Sequence, residues 1–73
     1  MEKAIKNKTY LDEGYYVGKE VYVWDLPEEK WDGSPYTGTE QNGRIAKCLG
    51  NETYIVELYD GNSVLVKEDA LDD

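Results

Sequence analysis

Residues 43–71 constrain the fold of this chain more than any other stretch. They contain three short runs rich in β-branched and aromatic residues, and turn sequences at 50–51 and 60–62 separate these runs. Such runs favour strands, whereas Gly, Asn and Asp between them favour tight turns. We therefore expect a meander with strands at residues 43–49, 53–59 and 63–67, closed by one helical turn.

A further strand is expected earlier in the chain, at residues 19–24. Val21 and Val23 alternate there with Tyr22 and Trp24. Successive side chains of a strand point to opposite faces, so the valines share one face and the aromatic residues the other. This strand is either buried on both faces or presents an aromatic surface.

The register of the last hairpin decides how the core is built. A two-residue turn at 60–61 would divide the apolar residues of the last two strands between both faces. A three-residue loop at 60–62, with Asn62 in the left-handed conformation, would place them on one face: Tyr54, Val56, Leu58, Val64 and Val66. We prefer the second register, because the hydrophobic pattern usually fixes register where one face is buried. Ile55 and Tyr59 then point outward.

Residues 25–42 are expected to form a long loop, because two prolines and two glycines interrupt any regular element. Loops of this length are usually functional or disordered. Trp31 and Tyr36 favour an ordered loop, since leaving both in water forfeits about 1.5–3 kcal/mol each. Two roles stay open for these rings. They either form a lid over a small core or serve as anchors for a partner, as Trp and Tyr often do.

The charge of the chain is strongly acidic and unevenly spread. Sixteen acidic against 8 basic side chains give a formal net charge of −8, which disfavours contacts with nucleic-acid phosphates and with anionic membranes. The excess forms two clusters: Asp25, Glu28, Glu29, Asp32 and Glu40 in the loop, and Glu68, Asp69, Asp72 and Asp73 at the C-terminal end. They either attract a basic partner or form a solvated rim that maintains solubility.

Residue types that catalysis requires are scarce. The chain has no histidine, and its single cysteine, Cys48, falls inside a predicted strand, where we expect a small buried core residue. Neither a Ser-His nor a Cys-His nucleophile can be built, and no glycine-rich phosphate loop or calcium loop is present. We expect no enzymatic activity, no cofactor and no metal.

The cysteine count and the hydropathy pattern also bear on location. A small chain without disulfides, and without an apolar run long enough to span a bilayer, is expected to be soluble and cytoplasmic. Residues 1–13 have scattered lysines and no clear hydrophobic period, so we expect a flexible N-terminal arm there.

Four segments follow a recognisable pattern: Val17-Gly18-Lys19-Glu20-Val21-Tyr22-Val23-Trp24, Gly43-Arg44-Ile45, Tyr54-Ile55-Val56-Glu57-Leu58-Tyr59-Asp60-Gly61, and the run from Val64 to Leu71. They resemble the VG..V.A.W, G.I, Y.V.F.DG and V...DI segments of Tudor domains, which belong to the SH3-like barrel superfamily. The resemblance implies an all-β, five-stranded SH3-like (Tudor-like) small barrel at residues 14–73, of a kind found in bacteria and phages. The long loop would follow its first core strand, and the arm at 1–13 would precede it.

Tudor domains that read methyl-lysine hold the cation in an aromatic cage. By the resemblance, Trp24 lies at or beside the first cage position and Asp60 matches the acidic position. Leu58 and Asn62, however, stand where the family has aromatic residues. Enclosing a quaternary ammonium takes several rings, so methyl-lysine reading would need Trp31 or Tyr36 of the long loop to rebuild the cage.

Two functions are expected. The first is a protein-interaction module, inhibitor or adaptor that binds a basic protein surface. Its partner-binding residues would be Tyr22, Trp24, Trp31, Tyr36, Tyr59 and Asp60, and its acidic rim would be Asp25, Glu28, Glu29, Asp32, Glu40, Glu68 and Asp69. The alternative is an acidic mimic of nucleic acid, such as a phage or mobile-element inhibitor of a nuclease or polymerase. Direct binding of nucleic acid is the weakest reading, because basic residues are few.

Overall fold

The computed structural model describes residues 14–72 as an all-β domain. Its elements are β1 (Glu20–Val23), β2 (Asn42–Gly50), β3 (Thr53–Leu58), β4 (Ser63–Lys67), a 3₁₀ helix (Glu68–Ala70) and β5 (Leu71–Asp72). The strands form one antiparallel sheet in the order β4-β3-β2-β1-β5. The predicted meander and helical turn are confirmed. The described sheet is not closed, since β4 and β5 are its two edges. The arm expected at 1–13 lies outside the described residues.

One face of the sheet carries the core. Val21 and Val23 of β1 are buried, whereas Tyr22 and Trp24 are exposed, so the predicted alternation is confirmed. Ile45 of β2 completes the centre of the core together with the inward residues of the last hairpin. The core is thus assembled from alternate positions of β1 to β4, as period-two patterning requires, together with Leu71 of β5.

In the hairpin of β3 and β4, the apolar residues share one face as predicted, but the loop is formed by other residues than expected. Val56 lies opposite Val64, and the inward apolar residues of both strands share the core face. The three loop residues are Tyr59, Asp60 and Gly61, because the N–H of Leu58 donates to the carbonyl of Asn62 at 2.7 Å. Gly61, with φ of +93°, takes the left-handed position expected for Asn62. Glycine has no Cβ to strain there.

Strand β2 is irregular where it pairs with β3. Its pairing with β3 shifts register between Ile45 and Lys47 and again between Cys48 and Gly50. The shifts are β-bulges, which bend a strand and increase its twist. Beyond Ile45 the residues of β2 are exposed, so this half of β2, in the extended half of the β2–β3 hairpin, lies outside the core.

The prediction that Cys48 is buried is wrong. Cys48 pairs with Tyr54 in the extended half of the β2–β3 hairpin and is exposed. Its Sγ lies 3.8 Å from the carbonyl oxygen of Tyr15. The thiol is therefore exposed after the first bulge of β2, whereas its partner Tyr54 packs against the core.

The long loop is ordered and folds back over the edge of β4. The N–H of Trp31 donates to the carbonyl of Ser63 at 3.0 Å, and Lys30 pairs with Val64 in an isolated antiparallel bridge. Covering an edge strand in this way limits pairing with other chains.

Within residues 14–72, no helix has the length and apolar character needed to cross a membrane.

Candidate functional site

A groove runs between the first half of the long loop and β4. It consists of two adjoining depressions of about 500 and 280 Å³, which share Pro27, Glu28 and Leu65. The larger depression extends to Trp31, and the smaller extends to Asp69 at the 3₁₀ helix. We call this feature the acidic groove.

Two attachments of the loop create the acidic groove. At one end two hydrogen bonds hold Trp24 to the 3₁₀ helix. Its Nε1 donates to the carbonyl of Asp69 at 2.8 Å, and its backbone N–H donates to the carbonyl of Ala70 at 3.0 Å. At the other end Trp31 is bonded to β4. Between them Leu26 packs against the core. The loop therefore spans the outer side of β4 and leaves a channel beneath it.

The acidic groove brings together charges that are distant in sequence. Asp25, Glu28 and Glu29 of the loop line it, together with Asp69 of the 3₁₀ helix. Two ammonium groups also line it: Lys30 and Lys67. Four carboxylates against two lysines leave the groove net negative, so its field favours a cationic occupant.

Apolar surface lies among these charges. Trp31 is 56% exposed and Leu65 is 43% exposed, and both line the larger depression. Sequence reasoning missed Leu65. The signal was present, because the register that turns Val64 and Val66 inward necessarily turns Leu65 outward. An apolar pair beside carboxylates suits a segment with both basic and apolar side chains.

Tyr22 and Tyr59 lie together on a different part of the surface. With Glu20 they line a shallow depression of about 250 Å³, which we call the tyrosine patch. The Oε2 of Glu20 accepts the hydroxyl of Tyr59 at 3.0 Å and Nη2 of Arg44 at 3.0 Å. Burial, and then the neighbouring Glu20 carboxylate, raise the pKa of Tyr59. Tyr22 and Tyr59 are thus separated from Trp31, which lines the acidic groove.

Tyr36 is part of the core, so the lid role is the one observed for this ring. It is 6% exposed, and its hydroxyl donates to Oδ2 of Asp60 at 2.8 Å. Asp60 also accepts the N–H of Asn62 at 2.9 Å, and this backbone hydrogen bond is the main cause of its lowered pKa. Tyr36 therefore offers no exposed ring to a partner, and Asp60 serves the hairpin turn.

The remaining acidic residues of the predicted rim are engaged locally. Asp32 accepts the backbone N–H and the hydroxyl of Ser34, and the hydroxyl bond is the main cause of its lowered pKa. Glu40 accepts the N–H of Asn42 at 3.1 Å, and Glu68 accepts the hydroxyl of Tyr54 at 3.2 Å. The rim is thus not one continuous band of free carboxylates.

The fold and the acidic groove define a small all-β domain with one antiparallel sheet and a charged channel beside an edge strand. Among residues 14–72, no group of three or more His, Cys, Asp or Glu side chains is placed to hold a metal ion. Comparisons of the chain with protein-family models, with curated proteins and with solved structures found no match.

Proposed function

We propose that this chain is a protein-interaction module whose acidic groove binds a basic segment of a partner protein. One observation carries the proposal: the carboxylates of the loop and of the 3₁₀ helix, distant in sequence, line one groove with exposed Trp31 and Leu65. These carboxylates are Asp25, Glu28, Glu29 and Asp69. Trp at the centre of a contact surface is a frequent source of binding energy. The surrounding carboxylates select a cationic partner and speed its association.

We also propose that the fold is an SH3-like small barrel of the Tudor-like kind. Support comes from the order β4-β3-β2-β1-β5, the two register shifts in β2 and the 3₁₀ helix between the last two strands. The aromatic cage of methyl-lysine readers gains no support from the described residues, because no second ring accompanies Trp31 in the lining of the larger depression.

The expected complex is weak and transient. A groove of this size buries less than the roughly 1,200 Å² that stable interfaces bury in total. Covering Trp31 contributes about 1.5–3 kcal/mol, whereas each exposed ion pair contributes about 1 kcal/mol or less. The partner segment is therefore expected to combine a few basic residues with one or two apolar ones.

The test is an NMR titration of the ¹⁵N-labelled full chain with a capped seven-residue peptide in which Lys alternates with Leu or Val. A peptide with Glu in place of Lys is the charge control. The indole N–H signal of Trp31 should shift with the Lys peptide and stay fixed with the Glu peptide. Trp31→Ala should weaken binding about tenfold or more. Tyr59→Ala is the matched control, because Tyr59 is equally exposed but lies in the tyrosine patch.

Salt dependence separates this proposal from mimicry of nucleic acid. Binding that rests on Trp31 should lose little affinity between low and moderate salt, whereas binding that rests on carboxylates alone should fall steeply. The double variant Glu28→Gln with Glu29→Gln should therefore lose less affinity for the Lys peptide than Trp31→Ala does. The reverse ranking, or no shift of the Trp31 signal, would argue against the interaction module.

A further inference from the structure

On the outward edge of β4, the backbone N–H and C=O groups of every second residue point away from β3. The carbonyl of Ser63 faces outward, since it accepts the N–H of Trp31 from the loop at 3.0 Å. Backbone groups of alternate residues in an antiparallel strand share one direction. Leu65 and Lys67 therefore also direct their N–H and C=O groups outward, while Val64 and Val66 face their partners in β3.

The loop covers only the first half of this edge. Its pairing with β4 consists of the bond from Trp31 to Ser63 and the bridge between Lys30 and Val64, which sets the outward N–H of Leu65 opposite the loop. Beyond it lies the smaller depression of the acidic groove, bordered by Leu65 and Lys67 on one side and by residues 25–28 on the other. Within the described chain, no hydrogen-bond partner faces the outward N–H of Lys67.

We infer that the basic segment binds as an added strand along the open half of the β4 edge, beside Leu65 and Lys67. The inference rests on the proposed function, since it concerns the same groove. An extended segment there would pair with outward backbone groups and direct alternate side chains to either side. Glu28 and Asp69 border this half of the groove, so a Lys or Arg of the segment meets a carboxylate.

This mode of binding explains the composition of the groove. Backbone pairing supplies affinity without regard to sequence, while the surrounding side chains supply specificity. The edge left open by the loop runs only from the carbonyl of Leu65 to Lys67. A partner therefore needs no more than a short extended stretch with a basic residue next to an apolar one.

The variant Lys67→Pro tests the inference by altering the protein. Proline removes the outward N–H, and it is tolerated on edge strands where that N–H faces solvent. The φ of Lys67 is −95°, close to the range that proline adopts. Lys67→Ala is the matched control, because it removes the same charge and keeps the N–H. In the NMR titration with the Lys peptide, Lys67→Pro should bind about tenfold more weakly than Lys67→Ala.

The peptide provides a second test that does not depend on how Lys67→Pro folds. N-methylation of alternate residues blocks one edge of an extended peptide, and shifting the methyl groups by one residue blocks the other edge. One pattern should weaken binding to the unaltered chain about tenfold, and the other should leave it nearly unchanged.

The possible outcomes are distinct. Equal binding by both methylated peptides, or by Lys67→Pro and Lys67→Ala, overturns strand addition. If the Trp31 signal still shifts in those experiments, the proposed function stands without it. If the Lys peptide does not bind the unaltered chain at all, the proposed function and the inference both fall.

Discussion

The hydroxyl of Tyr36 donates a 2.8 Å hydrogen bond to the carboxylate of Asp60, 24 residues further along the chain. The bond ties the long loop to the turn between β3 and β4, and the Tyr36 ring closes one side of the core. The loop that borders the acidic groove is thus held in place from a point outside the groove.

Tyr36→Phe should therefore lower the free energy of unfolding by about 0.5–1.5 kcal/mol, the usual net value of one hydrogen bond. Tyr36→Ala should lower it by about 3–5 kcal/mol, because it also empties the ring's site in the core. Urea unfolding followed by circular dichroism measures both. Tyr22→Phe is the control, since Tyr22 is exposed on the outer face. Equal effects at the two positions would contradict the lid role of Tyr36.

The Asp60 carboxylate should make the stability of the chain depend on pH. The N–H of Asn62 and then the hydroxyl of Tyr36 hold its pKa below the ordinary value of 3.8. A carboxyl with a lowered folded-state pKa stabilises the fold above its unfolded pKa, and this contribution disappears as pH falls through the folded value. Asp60→Asn lacks the carboxylate. The stability difference between the two chains should be constant near neutral pH and shrink as pH falls below about 4.

Urea midpoints measured at several pH values between neutrality and 2.5 test this expectation. The double variant Asp60→Asn with Tyr36→Phe shows how much of the difference belongs to the Tyr36 bond. A stability difference that stays constant down to the lowest pH would show that the carboxylate does not carry it.

The elements of the fold could be predicted because their signals are local. Alternation of valines with aromatic residues marks β1, and the turn residues mark the ends of β3 and β4. The shared face of the last hairpin followed from burial. Which three residues form the loop could not be predicted from burial. Gly61 and Asn62 can both adopt the left-handed conformation, and only the paired backbone selects between them.

The site could be predicted only in part, because its geometry depends on long-range packing. Trp31 and Tyr36 lie in one loop with similar sequence signals, yet one is exposed and the other is buried. Sequence identified both acidic clusters. Asp69 and Glu28 line the same groove because Trp24 is hydrogen-bonded to the 3₁₀ helix. No local sequence pattern predicts this long-range hydrogen bond.

Gly43 is required by the close approach of β2 and β3. A Cβ at this position would collide with the carbonyl oxygen of Glu57 and lie 2.8 Å from Cα of Leu58. Because both obstacles are backbone, Gly43→Ala should lower the free energy of unfolding by about 2–3 kcal/mol. Gly14→Ala is the control, since no atom lies within 4 Å of its added Cβ. Thermal unfolding should separate the two variants clearly, and equal midpoints would contradict the close approach.

Glu52 adopts a left-handed conformation, with φ of 61°, at the tip of the β2–β3 hairpin. Its carbonyl accepts the N–H of Glu68 at 2.8 Å, so the strained backbone serves the start of the 3₁₀ helix. Glu52→Gly should raise the free energy of unfolding by about 0.5–1 kcal/mol, because glycine adopts this φ without a steric penalty. Glu57→Gly, in the middle of β3, should lower it by a similar amount. Urea unfolding distinguishes these signs, and a loss of stability in both variants would count against strain at Glu52.

Cys48 should react with thiol reagents in the folded chain, because its side chain is exposed on the extended half of the β2–β3 hairpin. The reaction with a chromogenic disulfide reagent at neutral pH should proceed at nearly the same rate in buffer and in concentrated urea. A buried thiol would instead react only as fast as the chain opens. Val64→Cys in a Cys48→Ser background is the matched control, because Val64 is fully buried in the core. Its thiol should be protected in buffer and should react fully only in urea, and similar protection of Cys48 would restore the core position predicted from its strand.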